Sequence, residues 1–258
     1  MRFVKTSASE GHVDTAVTSY RRADGVSVVL IAAVHIADAD YYEKLQKRFK
    51  DFDAVLYEMV KPKEKPMPNR QPADNPVSLM QIGIKNLLEL EYQLDAVDYS
   101  PANFVHADMD VSTFRRLQQE RGESILGLMI RAMLEEQNQK AISANPYDGI
   151  QFLFALMSKD SAYKLKFLLA HQLETMESIL SGIDQGSDGQ GSVLLSGRNR
   201  VAMEVLAKQI RAGKRKLAIF YGAGHMPDFE KRLLQLGFQK SNELWVTAWD
   251  IRRKEPTK

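Results

Sequence analysis

The 258-residue chain has no cysteine. That excludes disulfides, zinc–thiolate sites and thiol nucleophiles, so any metal must be held by His, Asp or Glu. No apolar run approaches the roughly 20 residues of a membrane-spanning helix. Neither sign of charge dominates: 35 Lys and Arg stand against 33 Asp and Glu, a formal net charge of +2. The basic residues are scattered rather than striped, and no basic patch is interleaved with aromatics, which argues against a nucleic-acid partner. The polar opening from Met1 to Gly11 lacks the apolar segment of a secretory signal, and the expected location is the cytoplasm. Proline is sparse, but Pro62, Pro66, Pro68, Pro72 and Pro76 fall together among charges between Lys61 and Pro76. That stretch cannot be helix or central strand. It reads as a long exposed loop, either a lid over a site or a plain surface excursion.

What is present is an ordinary globular composition, 44% hydrophobic and 26% charged, enough for one domain over 1–258 with a sizeable core. Residues 1–12 read as a polar lead-in. Thr15 to Arg22 alternates weakly, Asp24-Gly25 is a hairpin turn signal, and Val26 to Ala33 is a β-branched run: strand, tight turn, buried strand. The second strand ends at Val34-His35. Asp40-Tyr-Tyr-Glu43 has the form of a capping box, and behind it Tyr42, Leu45, Phe49 and Phe52 fall at helical spacing. Asp53 to Val60 is the next strand, with Glu58 near its carboxyl end. Strand, helix and strand make a βαβ unit, so the two strands should be parallel.

Ser78 to Asp98 reads as a helix with Leu79, Ile82, Leu87, Leu90 and Leu94 inward. Asn103 to Asp110 reads as a short strand ending in acids, followed by a helix capped at Ser112. Helical patterns at Glu123–Lys140, Tyr147–Ser158 and Ser161–Leu180 make 111–182 a helical insertion or cap. Gly182 to Ser192 is a flexible connector. A helix opens around Arg198-Asn199-Arg200 and stops at Gly213. Leu217 to Tyr221 is a buried strand, Gly222 and Gly224 permit a sharp turn, and Pro227 and Gly237 bracket a helix. Leu244 to Ile251 is a last strand. The class is α/β, with a mixed, largely parallel sheet, flanking helices and a helical insertion.

Parallel strands share their carboxyl ends, and ligands bind at that edge of an open sheet. His35, Glu58 and His225 all fall there. Two imidazoles and a carboxylate can hold a divalent ion and leave positions open for water, whose pKa the ion lowers. Without a metal, His35 could act on water directly as general base, oriented by Glu58. The bland readings are equally defined: a His after a strand as a loop cap, and Glu58 as the partner of an Arg. His12, in the lead-in, and His171, on a helix, receive no role.

These residues also carry a resemblance. Val29-Leu-Ile-Ala-Ala-Val-His35 resembles the first Gly-x-x-His block of the TraB/PrgY and GumN group, which includes the Tiki-like metalloproteases. Tyr57-Glu58-Met59 is similar to the glutamate-ended strand that follows, and Gly222-Ala-Gly-His225 to the second Gly-x-x-His block. Arg198-Asn199-Arg200 resembles the Arg-Asn block before it, and His106-Ala-Asp108 sits where the family has a central acidic block. The order and spacing match at both ends of the chain. Ala32 stands where the family usually has glycine, so the turn before His35 is expected to differ.

The resemblance implies a core related to the erythromycin-esterase-like and ChaN-like folds and a metal-dependent hydrolase of peptide or ester bonds. Its substrate is expected to be a peptide or small molecule. On that reading His35, Glu58 and His225 hold the divalent ion, with Mn, Co or Zn as candidates, and Glu58 is ligand or general base. Arg198 stabilises an oxyanion or binds a substrate carboxylate; its other reading is a structural partner for Glu58 or Asp108. His106, Asp108 and Asp110 support the ligands from behind or cap helices, and Asn199 supports or caps likewise. The alternative function is a non-catalytic binding protein on the same fold, capturing a peptide, haem or other small ligand, with Met-rich helices such as Leu128 to Leu134 as an adaptable groove.

Overall fold

The computed structural model describes residues 1–7, 10–61, 88–122, 162–170 and 192–252. The chain opens with β1 (Arg2–Lys5), β2 (Gly11–Arg21), β3 (Ser27–Ala33) and a two-residue β4 (Ile36–Ala37), then α1 (Ala39–Phe49) and β5 (Ala54–Tyr57). The next described stretch holds β6 (Glu91–Tyr92), α2 (Gln93–Ala96), β7 (Phe104–His106) and α3 (Val111–Glu120). Residues 162–170 are helical, here α4. A π-helical turn at Val193–Gly197 leads into α5 (Arg198–Arg211), followed by β8 (Lys216–Gly222), a 3-10 turn (Ala223–His225), α6 (Met226–Gln235) and β9 (Gln239–Ile251).

The fold is α/β around one mixed sheet. Its parallel part runs β3-β8-β5-β7, and β2 joins β3 antiparallel. Strand β9 runs antiparallel along the whole of β2, while β1 pairs with the start of β2. The Asp24-Gly25 turn forms as the sequence predicts: Gly25 has φ 83°, a left-handed conformation that glycine adopts without Cβ strain. The βαβ unit β3–α1–β5 is parallel, but its two strands are not neighbours. The slot between them is filled by β8, from the far end of the chain.

Side chains alternate across β8. Ala218 and Phe220 join the core under α1, with Tyr41, Tyr42, Leu45 and Phe49. Leu217, Ile219 and Tyr221 face the other way, with Ala202 and Leu206 of α5 and Phe229 and Leu233 of α6. A near-continuous apolar run such as Leu-Ala-Ile-Phe-Tyr is what a strand covered on both faces requires. On the α1 side, α4 is anchored by Leu165 in the core, by Phe167 edge-on to Phe3, and by Lys166 Nζ, which donates to Asp38 at 2.7 Å.

Several expectations are corrected. Residues 1–12 are not a loose lead-in: β1 pairs with the start of β2, and His12 donates or accepts through Nδ1 at 2.8 Å from Asp14 within that sheet. The box at Asp40–Glu43 does not form. The cap position of α1 is Asp38, whose carboxylate instead accepts from Lys166 and from the Asp250 backbone N–H. The helix expected to reach Asp98 does not: Glu91–Tyr92 pairs antiparallel with Ile36–Ala37, and only Gln93–Ala96 is helical. Leu90 is buried, but Leu94, assigned inward, is 48% exposed. The cap of α3 is Asp110 rather than Ser112; its carboxylate accepts from the Thr113 N–H at 2.9 Å and from the Thr113 hydroxyl at 2.8 Å. The proline-rich loop beyond Lys61, residues 123–161 and 171–191, and with them His171, Leu128 to Leu134 and most of the expected insertion at 111–182, lie outside the described residues.

Candidate functional site

The carboxyl ends of β3, β8 and β5 lie side by side, and the three residues singled out in the sequence follow them directly. Glu58 is the first residue past β5. His225 closes the 3-10 turn after β8, and His35 sits two residues past β3. They meet around Gly222. A Cβ built on that glycine would stand 3.3 Å from Glu58 Oε2, 3.8 Å from His225 Cδ2 and 3.9 Å from His35 Nε2.

This corrects the reason for the glycine. With φ −53° and ψ 144°, the Gly222 backbone is one any residue adopts. What it supplies is room for three converging side chains, and a bare N–H that donates to Glu58 Oε2 at 2.6 Å. Before His35 the backbone is ordinary strand: Ala32 is a buried residue of β3 paired with Tyr221.

Each position is fixed by identifiable neighbours. The strand end leading to His35 is tied by the Tyr41 hydroxyl, which donates to the Ala32 carbonyl at 3.0 Å, and the Tyr42 hydroxyl, which donates to the Val34 carbonyl at 2.8 Å. The His35 carbonyl accepts from the Gln93 N–H at 2.9 Å, and the next residue, Ile36, accepts from Trp249 Nε1 at 2.7 Å. The His35 side chain is exposed, while His225 is buried, so the site opens on the His35 side. The His225 ring packs edge-on to Tyr221, centroids 5.2 Å apart, and also against Phe229.

Glu58 is the hub. Its Oε1 accepts from Arg198 Nη2 at 2.7 Å and lies 3.5 Å from His225 Nε2. Burial pushes its carboxyl up, but His225, Arg198 and His35 outweigh that and hold it well below the usual carboxylate range. Arg198, at the start of α5, also grips Asp108 twice: Nε to Oδ1 at 2.9 Å and Nη2 to Oδ2 at 2.5 Å. The Asp108 side chain is fully buried, so the fork is its charge partner in a dry setting. Burial works against the guanidinium charge, yet Asp108 and Glu58 leave Arg198 still harder to deprotonate than usual. One guanidinium between two carboxylates leaves the trio with a net negative charge.

The other predicted residues fall out differently. His106 Nε2 is 2.6 Å from the Met59 carbonyl and therefore donates to it, fixing the segment after Glu58 rather than meeting the two imidazoles. Asp110 caps α3. Asn199 is fully buried and braces His225, through Nδ1 at 2.6 Å and the carbonyl at 3.1 Å. Sequence reasoning passed over two residues. Tyr221 donates its hydroxyl to the Ala107 carbonyl and so anchors the loop carrying Asp108. Asp228 accepts from Asn199 Nδ2 at 2.8 Å and from Arg232 Nε at 2.6 Å. The i, i+4 spacing of Asp228 and Arg232 was the available signal for the second.

Two imidazoles and a carboxylate are suitable donors for a divalent ion by type. Among the described residues, however, no group of three His, Asp or Glu is arranged to hold one metal ion. What fits a cation most directly is the pair His225 Nε2 and Glu58 Oε1. The Nδ1 of His225 faces an amide oxygen, so a neutral ring carries its proton there and turns a lone pair toward the carboxylate. Protonated at both nitrogens, the ring instead turns an Nε2–H toward the carboxylate, and that is the form in which it helps to hold the Glu58 carboxyl low; a bound cation would take the place of that proton. Among the described residues no helix is long and apolar enough to cross a membrane. The chain matches no family model, no curated protein and no solved structure.

Proposed function

We propose that the protein is a hydrolase of peptide or ester bonds, in which His35, Glu58 and His225 activate a water at the rim formed by β3, β8 and β5. We further propose that it belongs with the TraB/PrgY and GumN group on an erythromycin-esterase-like or ChaN-like core. The observation that carries the reading is the meeting of the three side chains within 4 Å of one point beside Gly222, from segments far apart in sequence, at the sheet edge where α/β folds bind ligands.

Glu58 Oε1 and His225 Nε2 are the pair that best suits a divalent ion of the Mn, Co or Zn kind, and His35 would be its third donor; the ion would supply a Lewis acid that brings bound water toward ionisation at neutral pH. The chain's own contributions follow from the geometry. Glu58 is held too far below neutrality to be an efficient proton acceptor, since a good general base titrates near the working pH. It serves instead as a fixed negative charge beside both imidazoles. Without the ion, His35, the exposed imidazole, would itself take the proton from water. His225 keeps its proton on Nδ1 and offers Nε2. Arg198 holds the Glu58 carboxylate in place.

The test is a panel of peptide and ester substrates, with metal content measured on the purified protein. His35→Gln is expected to lower kcat by about 10²- to 10⁴-fold, the usual contribution of a positioned acid–base group, and His225→Ala to remove both turnover and bound metal. If neither His35→Ala nor His225→Ala alters metal content or hydrolysis, the reading fails. One observation favours a second reading, non-catalytic capture of a peptide, haem or other small ligand. The Nε and Nη2 of Arg198 are already engaged by Glu58 and Asp108, which takes them away from a developing oxyanion. Tight binding without turnover on the same panel identifies that case.

A further inference from the structure

His225 is held from behind by residues that take no direct part in the proposed chemistry. The Asn199 carboxamide has one acceptor oxygen and one donor nitrogen with two hydrogens. Its Nδ2 lies 3.1 Å from the His225 carbonyl and 2.8 Å from Asp228 Oδ2. A carbonyl and a carboxylate only accept, so these two partners determine which end of the amide is nitrogen. The oxygen is then the atom 2.6 Å from His225 Nδ1, and the ring nitrogen must be the donor. Asp228 is itself clamped: Arg232 Nε donates to the same Oδ2 at 2.6 Å, and Arg232 Nη2 reaches the Ser196 carbonyl at 3.4 Å, in the turn leading into Arg198 and Asn199. All of this is away from the Glu58 side of the ring.

We propose that Asp228 is a positioning residue that sets the tautomer of His225, by holding the Asn199 amide so that the ring is protonated at Nδ1 and presents the Nε2 lone pair to Glu58. Without the Asp228 acceptor only the His225 carbonyl opposes a flip of the amide. The flipped amide turns N–H groups toward Nδ1 and selects the opposite tautomer, with a hydrogen on Nε2 where the proposed chemistry needs a lone pair. The relay Arg232–Asp228–Asn199–His225 thus links the first two turns of α6 to the face of the ring that meets Glu58. The functional consequence rests on the hydrolase reading; the tautomer does not.

The experiment is ¹⁵N NMR of the full chain labelled in histidine, with chelator present and at a pH well above the ordinary imidazole range. The His225 signals are assigned by their loss in His225→Gln. In the wild type the Nδ1–H tautomer of His225 is expected in about tenfold excess or more, the bias of one good hydrogen bond. In Asp228→Ala, which removes the acceptor, the excess should fall toward a mixture. In Asp228→Asn it should be kept, because Arg232 Nε only donates and holds the new amide with its oxygen at the Oδ2 position. Such a rescue by the conservative variant is not expected of a residue that merely contributes charge to the fold. A wild-type His225 protonated at Nε2, or an Asp228→Ala protein that folds and keeps the wild-type tautomer ratio, overturns the proposal. If Asp228→Ala does not fold, the wild-type ratio and that of Asp228→Asn combined with Arg232→Met, where nothing orients the new amide and the excess should fall, decide it. Should the hydrolase reading fail instead, the tautomer pattern is found intact in a protein without turnover.

Discussion

Glu58 Oε1 and His225 Nε2 lie 3.5 Å apart, and each group is fixed on its other side: the carboxylate by Arg198 and the Gly222 N–H, the ring by Asn199. A carboxylate with a donor on each oxygen has no tolerance for an amide. In Glu58→Gln either orientation sets the new NH₂ against the Arg198 guanidinium or the Gly222 N–H. The expected result is a loss of about 1–3 kcal/mol of stability, the cost of opposing buried donors, with loss of turnover. Urea unfolding and substrate hydrolysis measure the two. A Glu58→Gln protein as stable and active as the wild type would mean that the carboxylate is not the hub described here.

Gly222→Ala isolates the role of space. The backbone at 222 suits alanine, so the strand should form and stability should change by no more than about 1 kcal/mol. The new methyl would press on Glu58 Oε2 from 3.3 Å, and the carboxylate must yield by a few tenths of an ångström. Hydrolysis should fall on the order of tenfold, since small misplacements of reacting groups are costly. Gly213→Ala is the contrast. There φ is 91° with nothing within 4 Å, so stability falls by roughly 1 kcal/mol from left-handed strain and turnover is unaffected. A Gly222→Ala enzyme with full turnover removes the steric argument.

The contrast between those glycines shows what was legible in the sequence and what was not. The strand ends carrying His35, Glu58 and His225 could be placed, because β-branched and apolar runs between turn signals determine strands locally, and parallel strands must share an edge. The insertion of β8 between β3 and β5 could not be read, since pairing between segments about 190 residues apart leaves no local pattern. For the same reason Gly222 looked like a turn residue: its constraint comes from three side chains elsewhere in the chain. The stretch at Glu91–Tyr92 had leucines at helical spacing, yet its pairing with Ile36–Ala37 decided the outcome. Tertiary pairing overrode a period that, over so short a span, was weak. Arg198 was legible as a site residue, but its two carboxylate partners could only be offered as alternatives, and the structure contains both.

Arg198 and Asp108 provide a stability prediction independent of any activity. The Asp108 side chain has no exposure and Arg198 has 9%. Removing the guanidinium leaves a buried carboxylate with no cation, and Arg198→Met should cost about 3–5 kcal/mol. In the double variant Arg198→Met, Asp108→Leu the orphaned charge is gone, and most of that loss should return. The comparison is made by urea unfolding of the two single variants and the double. Equal losses in Arg198→Met and in the double would show that the pair is not energetically coupled.

The response to acid follows from Glu58. Burial raises its carboxyl, His225, Arg198 and His35 lower it further, and in the folded chain it titrates well below its ordinary value. In the unfolded chain it returns to about 4.3. Between the two values the unfolded chain binds the extra proton, so stability must fall as pH falls. The contribution of Glu58 is therefore complete above the unfolded value, begins to erode near it, and is lost on passing down through the folded one. Across that window the wild type should lose up to about 1.4 kcal/mol per pH unit more than Glu58→Gln, which has no proton to take up at this position. Urea midpoints for both proteins, measured from about pH 6 downward into that window, give the two slopes. Parallel slopes would mean that Glu58 is no more strongly held as a carboxylate in the folded chain than in the unfolded one, and would remove the fixed charge proposed beside the two imidazoles.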